Sequence, residues 1–240
     1  MDIIATELPE TTPESATTAT RSGRPERADT KTLGAAVRLF AAFPGPRFIA
    51  LVMIVAWSAR LWVGNFGWWD LAVMAAIPML WPLQEWLIHV FILHFKPRKL
   101  FGRTIDLYPA YKHRVHHQDP WKLEHVFIPT RTLPVSLAAI VAAWFLLMPS
   151  TELFLSGIAV YVAMSLVYEW THYLIHTNYR PKSGFYKRLW KNHRLHHFKN
   201  EHYWFGVSML AGDRLLNTAP DYDAVEMSST CRTVHDVDGD

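Results

Sequence analysis

The sequence predicts an all-α integral membrane protein with four transmembrane helices in two hairpins. Three observations carry that prediction. Half of the 240 residues are hydrophobic and only 19% are charged, below the usual quarter of a soluble domain. The apolar residues collect in four long runs, at about 47–64, 68–95, 133–149 and 153–177. Basic residues crowd the polar stretches that follow the second and fourth runs, as membrane-flanking charge does.

The elements follow in chain order. Residues 1–46 hold five basic and six acidic residues with few large apolar ones before residue 31. They read as a disordered N-terminal tail and membrane lead-in, and the start lacks the basic-then-apolar pattern of a secretory signal. The first and third runs are short for a span of about 20 residues, whereas the second and fourth exceed the bilayer and should project from it. Gly64-Asn65-Phe66-Gly67 joins the first run to the second, and Pro149-Ser150-Thr151-Glu152 joins the third to the fourth. Such short links make antiparallel hairpins. Segments 96–132 and 179–218 carry eight basic residues each, against Arg60 alone on the opposite side. The excess assigns both segments and both termini to the cytoplasm. Residues 219–240, with six acidic residues and Arg232, read as a disordered acidic tail in which His235 is solvated. A single domain, 47–218, remains between the tails.

Composition excludes several chemistries. One cysteine, Cys231, leaves no disulfide framework and no Cys-based zinc or iron–sulfur site. No G-x-G-x-x-G, P-loop or G-x-S-x-G motif occurs. The excess of basic residues flanks apolar runs, which points to membrane lipid and not to nucleic acid.

The thirteen histidines are the feature that demands explanation. His89 and His94 form H-x4-H at the end of the second run, and His113, His116 and His117 form H-x2-H-H beyond it. His172 and His176 form H-x3-H at the end of the fourth run, and His193, His196 and His197 form a second H-x2-H-H. Residues three or four apart share a helix face, so each H-x2-H-H can converge as a tripod. His89 and His94 lie about 140° apart on an ideal helix, so they need a distorted helix end or two destinations. Ten imidazoles exceed one ion and suit two, each with about five nitrogens. Neutral imidazole fits Fe, Zn, Cu or Ni.

Metal-bound histidines usually donate their second N–H to an acceptor. Glu85, four residues before His89, and Glu169, three before His172, are the expected orienting acids; His125 and His202, each following a glutamate, are further outer candidates. Asp119 and Asp213 read as capping or bridging groups. Most of the eleven tryptophans read as interfacial belt or packing residues.

The order H-x4-H, H-x2-H-H, H-x3-H, H-x2-H-H resembles the fatty acid hydroxylase/sterol desaturase superfamily. The stretches Glu85–His94 (EWLIHVFILH) and His193–Gly206 (HRLHHFKNEHYWFG) are most similar to fatty acid 2-hydroxylases. The resemblance covers about residues 68–218. It implies four spans under a cytosolic helical cap, with the ten histidines above as ligands of a dimetal centre. That centre is two iron ions in function, and zinc can take the same ligands. It further implies O2-dependent hydroxylation of a long-chain lipid, an acyl chain at carbon 2, with no protein group beyond the metal ligands acting catalytically. The lipid comes from the bilayer, and a separate ferredoxin or cytochrome b5-like protein supplies electrons, because residues 1–46 are too short and polar for a fused cytochrome. The setting is a bacterial inner membrane or the endoplasmic reticulum. Inserting oxygen into an aliphatic C–H bond requires O2, two electrons and a redox metal, so the metal carries the hard step.

Two other readings remain at this stage. A sterol desaturase/oxidase or a carotenoid hydroxylase would share the histidines. A membrane metal transporter would place its ligands near the bilayer midplane, often on broken helices, whereas these sit at and beyond the ends of the runs.

Overall fold

The computed structural model describes residues 30–234. The tail expected over 1–29 and the solvated His235 lie outside the described residues. Within them, three helices are long and apolar enough to cross a membrane: α2 (Pro44–Val63), α3 (Trp68–Ile88, continuing to Leu93) and α6 (Thr151–Ile175). The third expected span, α5 (Leu133–Leu147), has 15 residues. At 1.5 Å per residue it reaches about 22 Å, short of a hydrocarbon core of roughly 30 Å. Its end is set by Met148, which is extended, as the residue before a proline prefers.

The first hairpin turns where Gly64 and Asn65 take left-handed conformations (φ 63° and 54°) that glycine and asparagine tolerate. Beneath this turn lies a polar knot that charge counting misses. Arg60, expected as a topology charge, is wholly buried. It donates to Asp70 on α3 (2.7 Å) and to Ser156 on α6 (2.7 Å), and the Ser156 hydroxyl donates to Asp70 at 2.5 Å. An unpaired charge at this depth costs a few kcal/mol on insertion scales, so three helices are pinned together by mutual satisfaction. Ile49, Ala56, Leu133, Ile158, Ala159 and Val162 form a core shared by α2, α5 and α6. The outer faces keep Trp62, Met79 and Leu146 exposed, as a lipid-facing surface does.

The polar segments fold over the ends of α3 and α6. They contribute α4 (Tyr108–Gln118), α7 (Gly184–Phe198) and the short α8 (Ala211–Leu215). An all-α expectation omits one detail: Arg98–Leu100 (β1) and Arg103–Ile105 (β2) pair antiparallel as a small hairpin. α8 sits directly on α3, since a Cβ at Gly212 would collide with the Pro82 carbonyl.

Folded structure reaches into both flanks: the stretch read as membrane lead-in holds a helix, and residues 219–234, expected to be disordered, are ordered. Leu33–Phe40 form α1, capped by the Thr32 hydroxyl. Ala36 is buried beside Phe127 and Tyr173, and Phe40 packs against Trp170 with ring centroids 5.0 Å apart. Ala36, Phe40 and Phe43 anchor this stretch on the core. Residues 219–234 lie across the cap, with Cys231 and Val234 buried.

Candidate metal centre

Ten histidines converge at the junction of the span ends and the cap, in two groups of five. His89, His94, His113, His117 and His196 form one, and His116, His172, His176, His193 and His197 the other; within each, one ring nitrogen per residue lies within 4.8 Å of all the rest. All are buried except His94, which is half-buried.

Local structure explains the aim of each side chain. His89–Leu93 is a π-helical turn, closed by the His94 N–H donating to the His89 carbonyl at 3.0 Å. A π turn spaces its repeat at five residues, which brings His89 and His94 to one side. Of the two alternatives the spacing allowed, the distorted helix end is the one found. His172 and His176 share the last turn of α6 at ordinary i, i+4 spacing.

The H-x2-H-H motifs do not act as tripods. His113 and His117 point to the first group and His116 to the second; His193 and His197 point to the second and His196 to the first. Neighbouring helical residues diverge by about 100°. On helices running between two centres, the adjacent histidines 116/117 and 196/197 must therefore serve different ones. Each group draws four nitrogens from one half of the chain and one from the other.

The nitrogen spacing fits a shared cation. His113 Nε2 lies 3.1 Å from His89 Nε2 and 3.2 Å from both His94 Nε2 and His117 Nε2. His193 Nε2 lies 3.1 Å from His176 Nε2 and 3.0 Å from His197 Nε2. One ring nitrogen has one proton or one lone pair, so it cannot satisfy three neighbours by hydrogen bonding. Two nitrogens bound at about 2.1 Å to one ion, at right angles, stand about 3.0 Å apart. Both ring nitrogens of His116, Nε2 of His196 and Nδ1 of His193 and His197 are also buried with no hydrogen-bond partner, a cost that native interiors avoid. Burial drives the cap histidines 113, 116, 193, 196 and 197 well below their ordinary pKa, and takes His117 to about 3. Neutral imidazoles with free lone pairs are what a metal requires.

The groups that orient the histidines are not the expected acids. His89 Nδ1 donates to the Phe205 carbonyl (2.6 Å), His117 Nδ1 to the Cys231 carbonyl (2.9 Å) and His196 Nδ1 to the Tyr203 carbonyl (2.8 Å). Glu85 makes no histidine contact. It accepts from the Val207 and Ser208 N–H groups, the Ser208 hydroxyl and the Trp81 indole, and so holds the loop that presents Phe205. Asp213 braces the same loop, accepting from the Phe205 and Gly206 N–H groups at 2.9 and 2.6 Å. Glu169 accepts from the Ile128 N–H at 3.0 Å, and its other oxygen is buried without a partner. His125 is half-buried outside both groups, while His202 is solvent-facing, 3.4 Å from Glu201. His89, His117 and His196 are held by backbone carbonyls instead, and side-chain spacing carries no record of backbone acceptors.

A cavity of about 270 Å³ is bordered by histidines of both groups, His113 of the first and His116 and His172 of the second. Apolar side chains make up most of its lining, among them Val52, Ile88, Ile92, Ile140 and Val162. Lys112, His125 and Thr132 are polar members of the same lining.

Comparison with known proteins agrees with this arrangement. The model of the fatty acid hydroxylase family matches residues 74–218. Rat fatty acid 2-hydroxylase is 29% identical over 147 residues, 58% of this chain and 37% of that protein. A dihydroceramide fatty acyl 2-hydroxylase of Arabidopsis thaliana is 31% identical over 144 residues, 59% of this chain and 57% of that one. The chain thus spans under two thirds of these relatives. A solved structure of full-length scs7p, with only the hydroxylase domain visible, matches with TM-score 0.63 and 21% identity. That match covers 76% of this chain and 68% of the other, and is a likeness of fold.

Proposed function

The chain belongs to the fatty acid hydroxylase family, and on that premise we propose that it is a membrane oxidoreductase that hydroxylates a lipid acyl chain at carbon 2, using O2. The observation that carries this reading is a mostly apolar cavity bordered by histidines of both groups. The relatives named as acyl 2-hydroxylases point the same way. In this reading the two groups of five are the ligand sets of two iron ions, with zinc able to occupy the same nitrogens. Bound iron supplies the O2 activation that an aliphatic C–H bond demands.

The protein's own residues bind, orient and exclude water. From Tyr161 to His172 the wall follows α6 for eleven residues, about 16 Å at 1.5 Å each, which suits an extended chain. Gln84 donates to the Tyr161 hydroxyl at 2.7 Å and fixes the wall between α3 and α6. The polar lining residues Lys112, His125 and Thr132 match a carboxyl or amide head, and the apolar lining matches a tail. Held with its head towards the histidines, the chain would bring carbon 2 nearest them. Residues 47–218 make up the hydroxylase domain.

A four-span topology is part of the same reading. The C-terminal ends of α3 and α6 meet in one histidine cluster, which supports putting both on one side of the membrane, with α5 crossing as a short fourth span beside α6. The excess of basic residues favours the cytoplasm for the clustered side and both termini, in a bacterial inner membrane or the endoplasmic reticulum. Electrons come from a separate ferredoxin or cytochrome b5-like protein, for which a basic cap is a complementary surface. Lipid profiling of a host with and without the protein tests the reading. A new 2-hydroxyacyl species, lost on His197→Ala at equal expression, is expected; an unchanged acyl profile refutes it.

A further inference from the structure

The family match ends at residue 218, yet the next sixteen residues grip both ligand-bearing helices of the cap. The last carbonyls of a helix lack intrahelical partners. Here the strap supplies donors to both ends at once. Its Ser228 N–H donates to the Lys199 carbonyl at the end of α7 (2.7 Å), and its Arg232 guanidinium donates to the Gln118 carbonyl at the end of α4 (2.5 Å). Arg232 also lies over the Phe198 ring, 5.3 Å from its centroid. The Lys199 ammonium donates to the Tyr222 carbonyl and sits 3.3 Å above the Tyr222 ring, and the Thr230 hydroxyl donates to the wholly buried Glu201. Between these grips, the Cys231 carbonyl accepts from His117 Nδ1. That bond fixes the tautomer of His117 and leaves its Nε2 facing His113 Nε2 at 3.2 Å.

The strap touches the two histidine groups unequally. It hydrogen-bonds a member of the first group, whereas none of its described hydrogen bonds reaches a ring of the second. We infer that residues 219–234 are a positioning element for the first group alone, with the Cys231 carbonyl setting the His117 ring and Arg232 and Thr230 holding that carbonyl in place. The inference rests on the reading of the ten histidines as metal ligands.

The test is metal binding by the full-length protein in detergent, titrated with Zn2+ against a chromogenic chelator. The wild type should hold two ions. Thr230→Ala/Arg232→Ala should weaken one ion by about 10–100-fold, the usual range for loss of an outer partner, and leave the other unchanged. Arg232→Lys, which keeps a donor for Gln118, should recover part of the loss. A cycle assigns the affected site. Added to His176→Ala, which disables the second group, the strap change should release the remaining ion; added to His94→Ala, it should change nothing. Equal weakening of both ions, weakening of neither, or a strap effect that survives in His94→Ala overturns the inference while the ligand reading stands. A wild type that binds no metal overturns both.

Discussion

His116 and His117 are adjacent, identical and equally buried, yet they face different centres. Each is therefore expected to cost a different ion. His117→Ala should abolish product and remove one ion, and His116→Ala should do the same with the other. His202→Ala, on a solvent-facing ring, should keep both ions and near-normal product at equal expression. Elemental analysis beside lipid profiling checks all three; loss of both ions in either single variant would show that the two groups act as one site. Glu85→Gln should cost about 10–100-fold in activity, acting through the 205–208 loop, with metal content measured alongside. Motif spacing singled out the ten histidines that the structure gathers into two groups, because candidate ligands are written in side-chain type. Their division was hidden, since a sequence does not say on which side of a helix each centre lies. Phe205, Tyr203 and Cys231 were invisible as orienting residues because they act through backbone oxygen.

At the scale of elements, the π turn reconciles the two halves. H-x4-H across a π turn and H-x3-H across an α turn both align their histidines, so His89–His94 amounts to the second pair plus one inserted residue. Deleting Phe91, whose side chain is exposed, should let the turn relax to α and keep both ions, though with lower activity as Ile92 and Leu93 shift in the cavity. Inserting an alanine after Phe91 should instead turn His94 away and remove the first ion. Metal content distinguishes these outcomes, and loss of metal in the deletion would refute the equivalence. The long spans were legible as runs of apolar residues. The third run was read as short for a span, and α5 ends two residues earlier still, because hydropathy marks an apolar segment without fixing where its helix ends; the stop is set by the backbone preference before Pro149.

For the whole molecule, the expected topology is checked by labelling Lys182→Cys and Ser150→Cys from either side of the membrane. They should react from opposite sides, and labelling from one side would remove the four-span arrangement. A second expectation concerns acid. The cap histidines are held neutral by burial, with His117 down to about 3, while the unfolded chain protonates near the ordinary value of about 6.5. The unfolded state then binds more protons, so the stability of metal-free protein should fall as pH drops from about 6.5 towards 3, by up to about 1.4 kcal/mol per pH unit for each such group. Thermal unfolding in detergent at pH 7.5 and 5 measures it; an unchanged midpoint would show that the rings are hydrated. Composition foretold a polar tail after residue 218, but not that its few anchors would fold over the cap.

The exchange of single histidines between the halves has a consequence for descent. In both repeats it is the middle residue of H-x2-H-H that crosses over, His116 one way and His196 the other. Two separate copies of one half-length chain, related by a twofold axis and each lending one imidazole to its neighbour, would produce the same pair of five-nitrogen sites. A lone copy would own four ligands of one site and a single ligand of the other. Halves expressed apart should therefore fail to complete a centre, and halves expressed together should be able to restore both.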